Sequence, residues 1–171
     1  GAGLRLARTG AATQAALRSF LIPDAQVAGP VDLLGGADEH GYRQALEAVL
    51  ADPECDGVLA VLVPQVLVDP IAVVQAFGAA AAAQVEPRKP VLACLMGEAS
   101  LDAAFKAAHA AQIPAYTFPE DAVTSGFDKV GEGLTLSAAH FTAYQAAAEK
   151  ALNMAIQREK VINFDEDGAA I

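Results

Sequence analysis

The chain has 171 residues, of which 54% are hydrophobic and 19% charged, and its formal net charge is −10. The length suits one domain with a sizeable core, and the apolar content excludes a disordered chain. An acidic surface repels phosphate backbones, which argues against nucleic acid as a partner. No signal peptide and no apolar run of about 18 residues occur, so we expect a cytoplasmic protein that does not bind membranes.

Short apolar strands alternate with alanine-rich helices along most of the chain, as read from hydrophobic periodicity and from the Gly, Pro and Asp residues at segment ends. In chain order the sequence first predicts a short strand at Gly3–Ala7, a helix at Ala11–Phe20, an extended segment at Gly29–Leu34, a helix at Glu39–Leu50 and a strand within Asp56–Pro64. It then predicts a helix from Pro70 to about Val85, a strand within Lys89–Gly97, a helix from Ser100 or Leu101 to about Ala111, a strand within Ile113–Phe118, a helix beginning at Pro119 and a long helix at Ser137–Lys160.

Two strand segments have unbroken apolar runs, DGVLAVLVP and KPVLACLMG. Such runs are typical of parallel strands that are covered on both faces. We therefore predict that Val58–Val63 and Val91–Leu95 are adjacent, parallel and fully buried. The β-α alternation predicts an α/β fold with a doubly wound parallel sheet, a flavodoxin-like three-layer sandwich over residues 1–133. A C-terminal helical extension, consisting of a helix and a tail, is predicted over residues 134–171.

In such a sheet, ligands bind outside the carboxyl ends of the strands. The main candidate is the phosphate-facing or ligand-facing loop formed by Asp32, Gly35, Gly36 and Ala37, because its backbone N–H groups precede a helix. Two simpler interpretations stay open. The glycines can supply a positive φ for a tight turn, and Asp32 can bond nearby backbone N–H groups rather than act as an acid. Secondary candidates in the neighbouring loops are Pro64, Gln65 and Gly97.

The histidines and cysteines give little support for catalysis or metal binding. Of His40, His109 and His140, only His40 lies near the ligand edge, and a solvated surface histidine is its simpler interpretation. No two histidines have i, i+4 spacing, so we predict no metal site. Cys55 and Cys94 lie in or beside apolar runs, which predicts buried free thiols.

Three motifs together resemble a known family. GPVDLLGGADEHGYRQALEAVLADPECDGVLAVLVPQVLVDP, then KPVLACLMG, then IPAYTFPEDAV resemble the ligase-type flavodoxin-like domain of ADP-forming acyl-CoA synthetases, which are relatives of succinyl-CoA synthetase. The resemblance covers about Leu4 to Val123. The stretch DLLGGAD is also similar to the glycine turn of the succinyl-CoA synthetase β subunit.

The resemblance implies an acid–thiol ligase that forms a nucleoside diphosphate. The family reaction passes a phosphoryl group between an acyl phosphate, a histidine and a nucleotide, and forms a thioester with CoA. CoA and ATP or ADP with Mg are therefore implied for a complete enzyme, whereas no cofactor is assigned to this chain. The implied partners are CoA-binding and ATP-grasp domains or subunits. This domain would frame phosphoryl transfer and acyl-CoA thioester formation.

The chain departs from the family pattern in three ways. Gly29 replaces the usual Asn, the family's first strand is not identifiable, and the Ser-His-Thr-Gly run with the phosphorylated histidine is absent. The catalytic residues are therefore unassigned, and we expect the chain to be inactive alone. The position of the missing first strand could be filled by GAGLRLA, by KVINF near the C-terminus or by a strand of another chain. We therefore expect either a tail strand or a homo-oligomer.

Two other functions are weighed against the ligase. A non-catalytic flavodoxin-like interaction or regulatory module would have the same fold without a working site. A flavin-binding flavodoxin has weaker support, because the chain has no tryptophan and only three tyrosines for stacking on a flavin.

Overall fold

The computed structural model describes residues 5–35, 37–64, 68–97 and 101–127, with the backbone alone at 125–127. The predicted helix at Ser137–Lys160 and the whole predicted extension over residues 134–171 lie outside the described residues. In the described part, no helix is both long and apolar enough to cross a membrane.

A parallel sheet of three strands forms the centre of the fold, in the order β1 (Val58–Leu62), β2 (Val91–Leu95) and β3 (Ala115–Tyr116). Val58 lies opposite Val91, and Ala93 lies opposite Ala115. The prediction that the two apolar runs form adjacent parallel strands is therefore confirmed.

The helices that surround the sheet begin and end close to their predicted bounds. In chain order they are α1 (Ala11–Arg18), α2 (Glu39–Leu50), α3 (Pro70–Ala82), α4 (Asp102–Ala110) and α5 (Pro119–Asp121), which continues as a π-helix over Ala122–Phe127. The start signals are local. The Asp38 carboxylate accepts a hydrogen bond of 2.9 Å from the N–H of Gly41, and Asp69 accepts one of the same length from the N–H of Ile71. These side chains satisfy N–H groups that have no partner within the helix.

The extended segment at Gly29–Leu34 does not join the sheet. It makes an isolated antiparallel bridge in which the N–H of Asp32 donates to the carbonyl of Gln26 over 2.9 Å. Gly29 has a φ of 102°, and a Cβ built there would lie 2.5 Å from the carbonyl oxygen of Ala7. Close backbone approach therefore accounts for glycine at the position where the family pattern has Asn. The predicted strand at Gly3–Ala7 is wrong for residues 5–7, which are irregular.

The two faces of the sheet are covered unequally. Side chains alternate between the faces of a strand. One face, which we call the helix-covered face, contributes Leu62, Val91, Ala93, Leu95 and Ala115 to a core built with α2, α3 and α4. The opposite face, which we call the open face, carries Leu59, Val61, Leu92, Cys94 and Tyr116. In the described part of the chain, this face is packed by the segment at 119–127, where Ala122 contacts Leu92 and Tyr116.

The two apolar strands differ in burial, contrary to the prediction that both are fully buried. All residues of β2 are buried, but in β1 Val61 is 42% exposed and Leu62 alone is buried. The reason is position, because β1 is an edge strand of the described sheet and β2 is central. The prediction of full burial was therefore right for β2 and wrong for β1. The fold shown is an α/β fold whose three-stranded parallel sheet is flanked by helices.

Candidate functional site

The loops after β1 and β2 begin side by side at the carboxyl edge of the sheet. The N–H of Met96 donates to the carbonyl of Leu62 over 2.9 Å, which extends the β1–β2 pairing beyond the strands. A Cβ built on Gly97 would lie 3.2 Å from Cδ1 of Leu101 and 3.6 Å from Cδ of Pro64. The structure therefore brings Pro64 and Gly97 together, two of the secondary candidates, whereas Gln65 lies outside the described residues.

The backbone at Gly97 is accessible. Gly97 is exposed and has a φ of 157°, and the buried Leu101 lies beneath it. Since glycine has no side chain, a ligand can approach the main chain here more closely than at any other residue type. Chemically, this loop can offer backbone groups to a ligand rather than an acid or a base.

Asp32 organises the turn in which it lies. One of its carboxylate oxygens accepts a hydrogen bond of 2.9 Å from the N–H of Leu34. Leu34 in this turn is left-handed, with a φ of 62°. The expectation that the glycines supply a positive φ stays a prediction. Gly35 is exposed and Ala37 is half-buried, and Gly36 lies outside the described residues. The turn thus uses Asp32 in the role that the simpler interpretation gave it.

The Asp32 turn is electrostatically linked to helix α2. Burial, and then the negative charge of Asp32, raise the pKa of the Tyr42 phenol above its ordinary value. The Tyr42 ring packs edge-on against Phe77, with ring centroids 5.8 Å apart. Tyr42 therefore connects the turn to the core between α2 and α3.

The start of α2 has three potential metal ligands. Asp38, Glu39 and His40 offer ligand atoms that all lie within 4.8 Å of one another. Nδ1 of His40 lies 3.3 Å from Oε1 of Glu39, and Asp38 caps the helix. The His40 side chain is 81% exposed. A capped helix start explains this arrangement without an ion, and the prediction of no metal site stays a prediction.

Of the other two histidines, only His109 lies in the part of the chain that the structure describes, and it is not brought to this edge. His109 is exposed in the last turn of α4, at the end of the helix that leads away from the Gly97 loop. His140 lies outside the described residues.

Sequence reasoning missed a polar centre at the opposite, amino edge of the sheet. Asp52, interpreted as a helix stop, is only 1% exposed. Its carboxylate accepts hydrogen bonds from the N–H of Gly10 over 2.7 Å and of Glu54 over 2.9 Å, and its carbonyl accepts one from Lys89 Nζ. Burial raises the pKa of Asp52, but these bonds, the Thr13 hydroxyl and the Lys89 charge together hold it below its ordinary value. Because Gly10 and Lys89 are distant in sequence, no local pattern could have revealed the centre.

The two cysteines are buried free thiols, as predicted. The thiol of Cys94 lies 3.6 Å from the carbonyl oxygen of Thr117 on β3's carboxyl side. Burial, and then the charges of Glu120 and Asp121, raise the pKa of Cys94 to about 11. The thiol is therefore neutral near pH 7 and is not a candidate nucleophile.

Two family profiles match the sequence. The profile of the Ligase-CoA domain matches residues 1–127. A second profile, PSD3, describes proteins of unknown function and matches residues 98–157.

Among curated proteins, the α subunit of ADP-forming acetate–CoA ligase II from Pyrococcus furiosus is 32% identical over 126 residues. The match covers 73% of this chain and 28% of that subunit.

Solved structures have a similar fold. A protein from Pyrococcus horikoshii OT3 gives a TM-score of 0.68 at 26% identity. The match covers 86% of this chain and 31% of the chain of that protein. A dinucleotide-forming acetyl-coenzyme A synthetase from Candidatus Korarchaeum cryptofilum gives a TM-score of 0.67 at 22% identity. This match covers 90% of this chain and 31% of the chain of the synthetase. The chain thus spans less than a third of the length of each of these relatives.

Proposed function

We propose that this chain forms one wall of an acyl-CoA synthetase active site. The premise is that the chain belongs to the Ligase-CoA domain family of ADP-forming acetyl-CoA synthetases and their succinyl-CoA synthetase-like relatives. The observation that carries the proposal is the family match over residues 1–127. The matched relative is an α subunit of which the chain covers 28%, so the complete activity requires further domains or subunits.

The wall would act through the backbone at the carboxyl edge of the sheet. We assign the framing of phosphoryl transfer to the loop of Asp32, Gly35, Gly36 and Ala37 and to the loops of Pro64, Gln65 and Gly97. The proximity of Pro64 to Gly97, together with the exposed Gly97 backbone, supports this assignment. Preorganised backbone N–H groups stabilise charge that develops on a transferring group without needing to titrate. CoA and ATP or ADP with Mg would be held mainly by the partner domains.

The phosphorylated histidine would come from outside this chain. His40 is exposed and its Nδ1 lies beside a neighbouring carboxylate, while His109 lies at the end of α4 away from the Gly97 loop. His109 thus lies away from the carboxyl edge. His40 lies at the start of α2, near this edge, where we interpret it as a solvated surface histidine. We therefore propose that the CoA-binding and ATP-grasp parts of the enzyme supply the nucleophile and bind the nucleotide.

The architecture and assembly follow from the same proposal. A complete family domain would extend the described sheet into a doubly wound flavodoxin-like sandwich, with the boundary to the C-terminal extension near residue 133. The outer edge of β1 has no strand paired to it among the described residues, which supports pairing with a second copy or with a tail strand. Concentration-dependent mass in solution would separate these two arrangements.

A chimeric enzyme tests the proposed function. The matched 126-residue segment of the Pyrococcus furiosus α subunit is replaced by the corresponding part of this chain, and acetyl-CoA formation from acetate, ATP and CoA is measured in the assembled enzyme. We expect activity within about tenfold of the parent enzyme. A chimera carrying Gly97→Val should lose much more, because a branched side chain would fill the Gly97 loop.

The controls separate framing from folding. Val85→Ala, at an exposed position just beyond the end of α3 and away from both loops, should leave the chimera's activity unchanged. A folded and assembled chimera without activity would contradict the proposal and favour the non-catalytic interaction module. Thioester formation by this chain alone, above a blank, would contradict the assignment of the nucleophile to a partner.

A further inference from the structure

The open face of the sheet is apolar but incompletely covered at β1. Leu59, Val61 and Val63 alternate along the chain and therefore share this face. Leu59 is half-buried, Val61 is 42% exposed and Val63 is 59% exposed. On the neighbouring strand, Leu92 of the same face is only 2% exposed. Burial therefore decreases across the sheet towards β1, where adjacent apolar side chains reach the surface.

The last described segment of the chain lies on the open face. The segment at 119–127 follows β3, and its Ala122 is fully buried against Leu92 and Tyr116. The last described segment therefore lies on the open face rather than on the helix-covered face.

We propose that the predicted helix at Ser137–Lys160 packs across Leu59, Val61 and Val63 and completes the second helical layer. Its sequence has an apolar stripe at the helical spacing that such a contact requires. The stripe consists of Phe141, Tyr144, Ala148, Leu152 and Ala155. Lys150 and Asn153 fall on the other side of the same helix, where they would face water.

The geometry of the connection permits this packing. Neighbouring strands lie about 4.8 Å apart, so β1 is roughly 10 Å from β3 across the sheet. The segment between Phe127 and Ser137 can span roughly 30 Å when extended, which is ample for this distance. A helix over Ser137–Lys160 would be roughly 36 Å long, more than enough to cover a strand of five residues. The inference concerns the C-terminal extension and does not depend on the proposed ligase function.

Cross-linking in the full chain tests the contact directly. Val63→Cys is combined with Leu152→Cys, and a short bifunctional thiol reagent is applied, with the product identified by mass spectrometry. Two matched controls combine Val63→Cys with Lys150→Cys, and Val85→Cys with Leu152→Cys. Val85 is 87% exposed and lies just beyond α3, which packs on the helix-covered face.

We expect the first pair to cross-link within one molecule, at least about fivefold more than either control and independently of protein concentration. Equal yields for all pairs, or no cross-link in the first pair, would overturn the proposal. A cross-link that forms only between two molecules would also overturn it and would indicate that a second copy covers this face.

Amide exchange gives an independent measurement on the same chain. Residues 137–160 should be protected in the unmodified protein, and this protection should fall at least about tenfold in Val61→Asp but not in Val85→Asp. Protection that is the same in both variants would show that the helix does not rest on β1.

Discussion

The carboxylate of Asp52 accepts a hydrogen bond of 2.7 Å from the backbone N–H of Gly10, although the two residues are 42 positions apart. Gly10 is the N-cap of α1 and has no side chain with which to cap that helix. Because Asp52 accepts this bond, its negative charge also lies at the N-terminus of α1, where the helix dipole favours it. This bond fixes α1, which contacts the rest of the fold mainly through α2, to the amino edge of the sheet.

Replacing Asp52 with alanine should destabilise the fold by about 1–3 kcal/mol, because the partly buried hydrogen bonds from the N–H groups of Gly10 and Glu54 would lose their acceptor. Urea denaturation measures the change in the free energy of unfolding. Asp56→Ala is the matched control, since Asp56 is exposed and its loss should change stability by less than about 0.5 kcal/mol.

The stability that Asp52 contributes should depend on pH. The pKa of Asp52 is lowered in the folded state, so its stabilisation is present above the ordinary carboxyl pKa of about 4 and is lost as pH falls through the lower folded value. The stability difference between the unmodified chain and Asp52→Ala should therefore shrink below about pH 4. A difference that is constant from pH 7 to pH 3 would contradict this assignment.

Glycine-to-alanine substitutions in two helices should change the free energy of unfolding in opposite directions. A Cβ on Gly78 of α3 would lie 2.5 Å from Cβ of Ala111, so Gly78→Ala should destabilise by roughly 1–3 kcal/mol despite the better helix propensity of alanine. At Gly41 of α2 the nearest atoms would be 3.6 Å away, so Gly41→Ala should stabilise by up to about 1 kcal/mol. Thermal unfolding of both variants measures this. A stabilising Gly78→Ala would show that α3 can move away from Ala111 at little cost, and a destabilising Gly41→Ala would contradict the second expectation.

A charge on the open face should have an effect that depends on the strand. Leu92→Asp places an unpaired charge at a position that is 2% exposed in the central strand, and we expect it to unfold the domain. Val61→Asp, at a position that is 42% exposed, should keep the fold of residues 5–127 with a loss of less than about 1.5 kcal/mol. Circular dichroism and urea titration distinguish the two results. Unfolding by Val61→Asp would mean that β1 is as enclosed as β2.

The thiol of Cys94 should react slowly until the protein unfolds. With a pKa raised to about 11, its thiolate fraction at pH 8 is roughly 100-fold below that of an ordinary thiol. Iodoacetamide labelling followed by mass spectrometry should therefore modify Cys94 readily only in urea. Since the raised pKa favours the neutral thiol in the folded state, stability should also fall as pH rises from about 9 towards 11. Cys94→Ala should reduce that fall, and an unchanged alkaline profile would contradict the assignment.

By itself, the sequence determined the elements whose signals are local. The bounds of α2, the Asp69 cap with Pro70 at the start of α3, and the pairing candidates β1 and β2 were predicted because capping residues and apolar runs act within a few positions of the chain. The motifs of the family are also linear, so they identified the family and the loops at the carboxyl edge before any contact was known.

Only the tertiary structure decided features that depend on distant neighbours. An apolar run does not show whether a strand is central or at an edge, so the exposure of Val61 could not be predicted. The role of Asp52 depends on Gly10 and Lys89, and the proximity of Pro64 to Gly97 depends on strand order. Burial and electrostatics are sums over all surrounding atoms, and those surroundings exist only once the chain has folded.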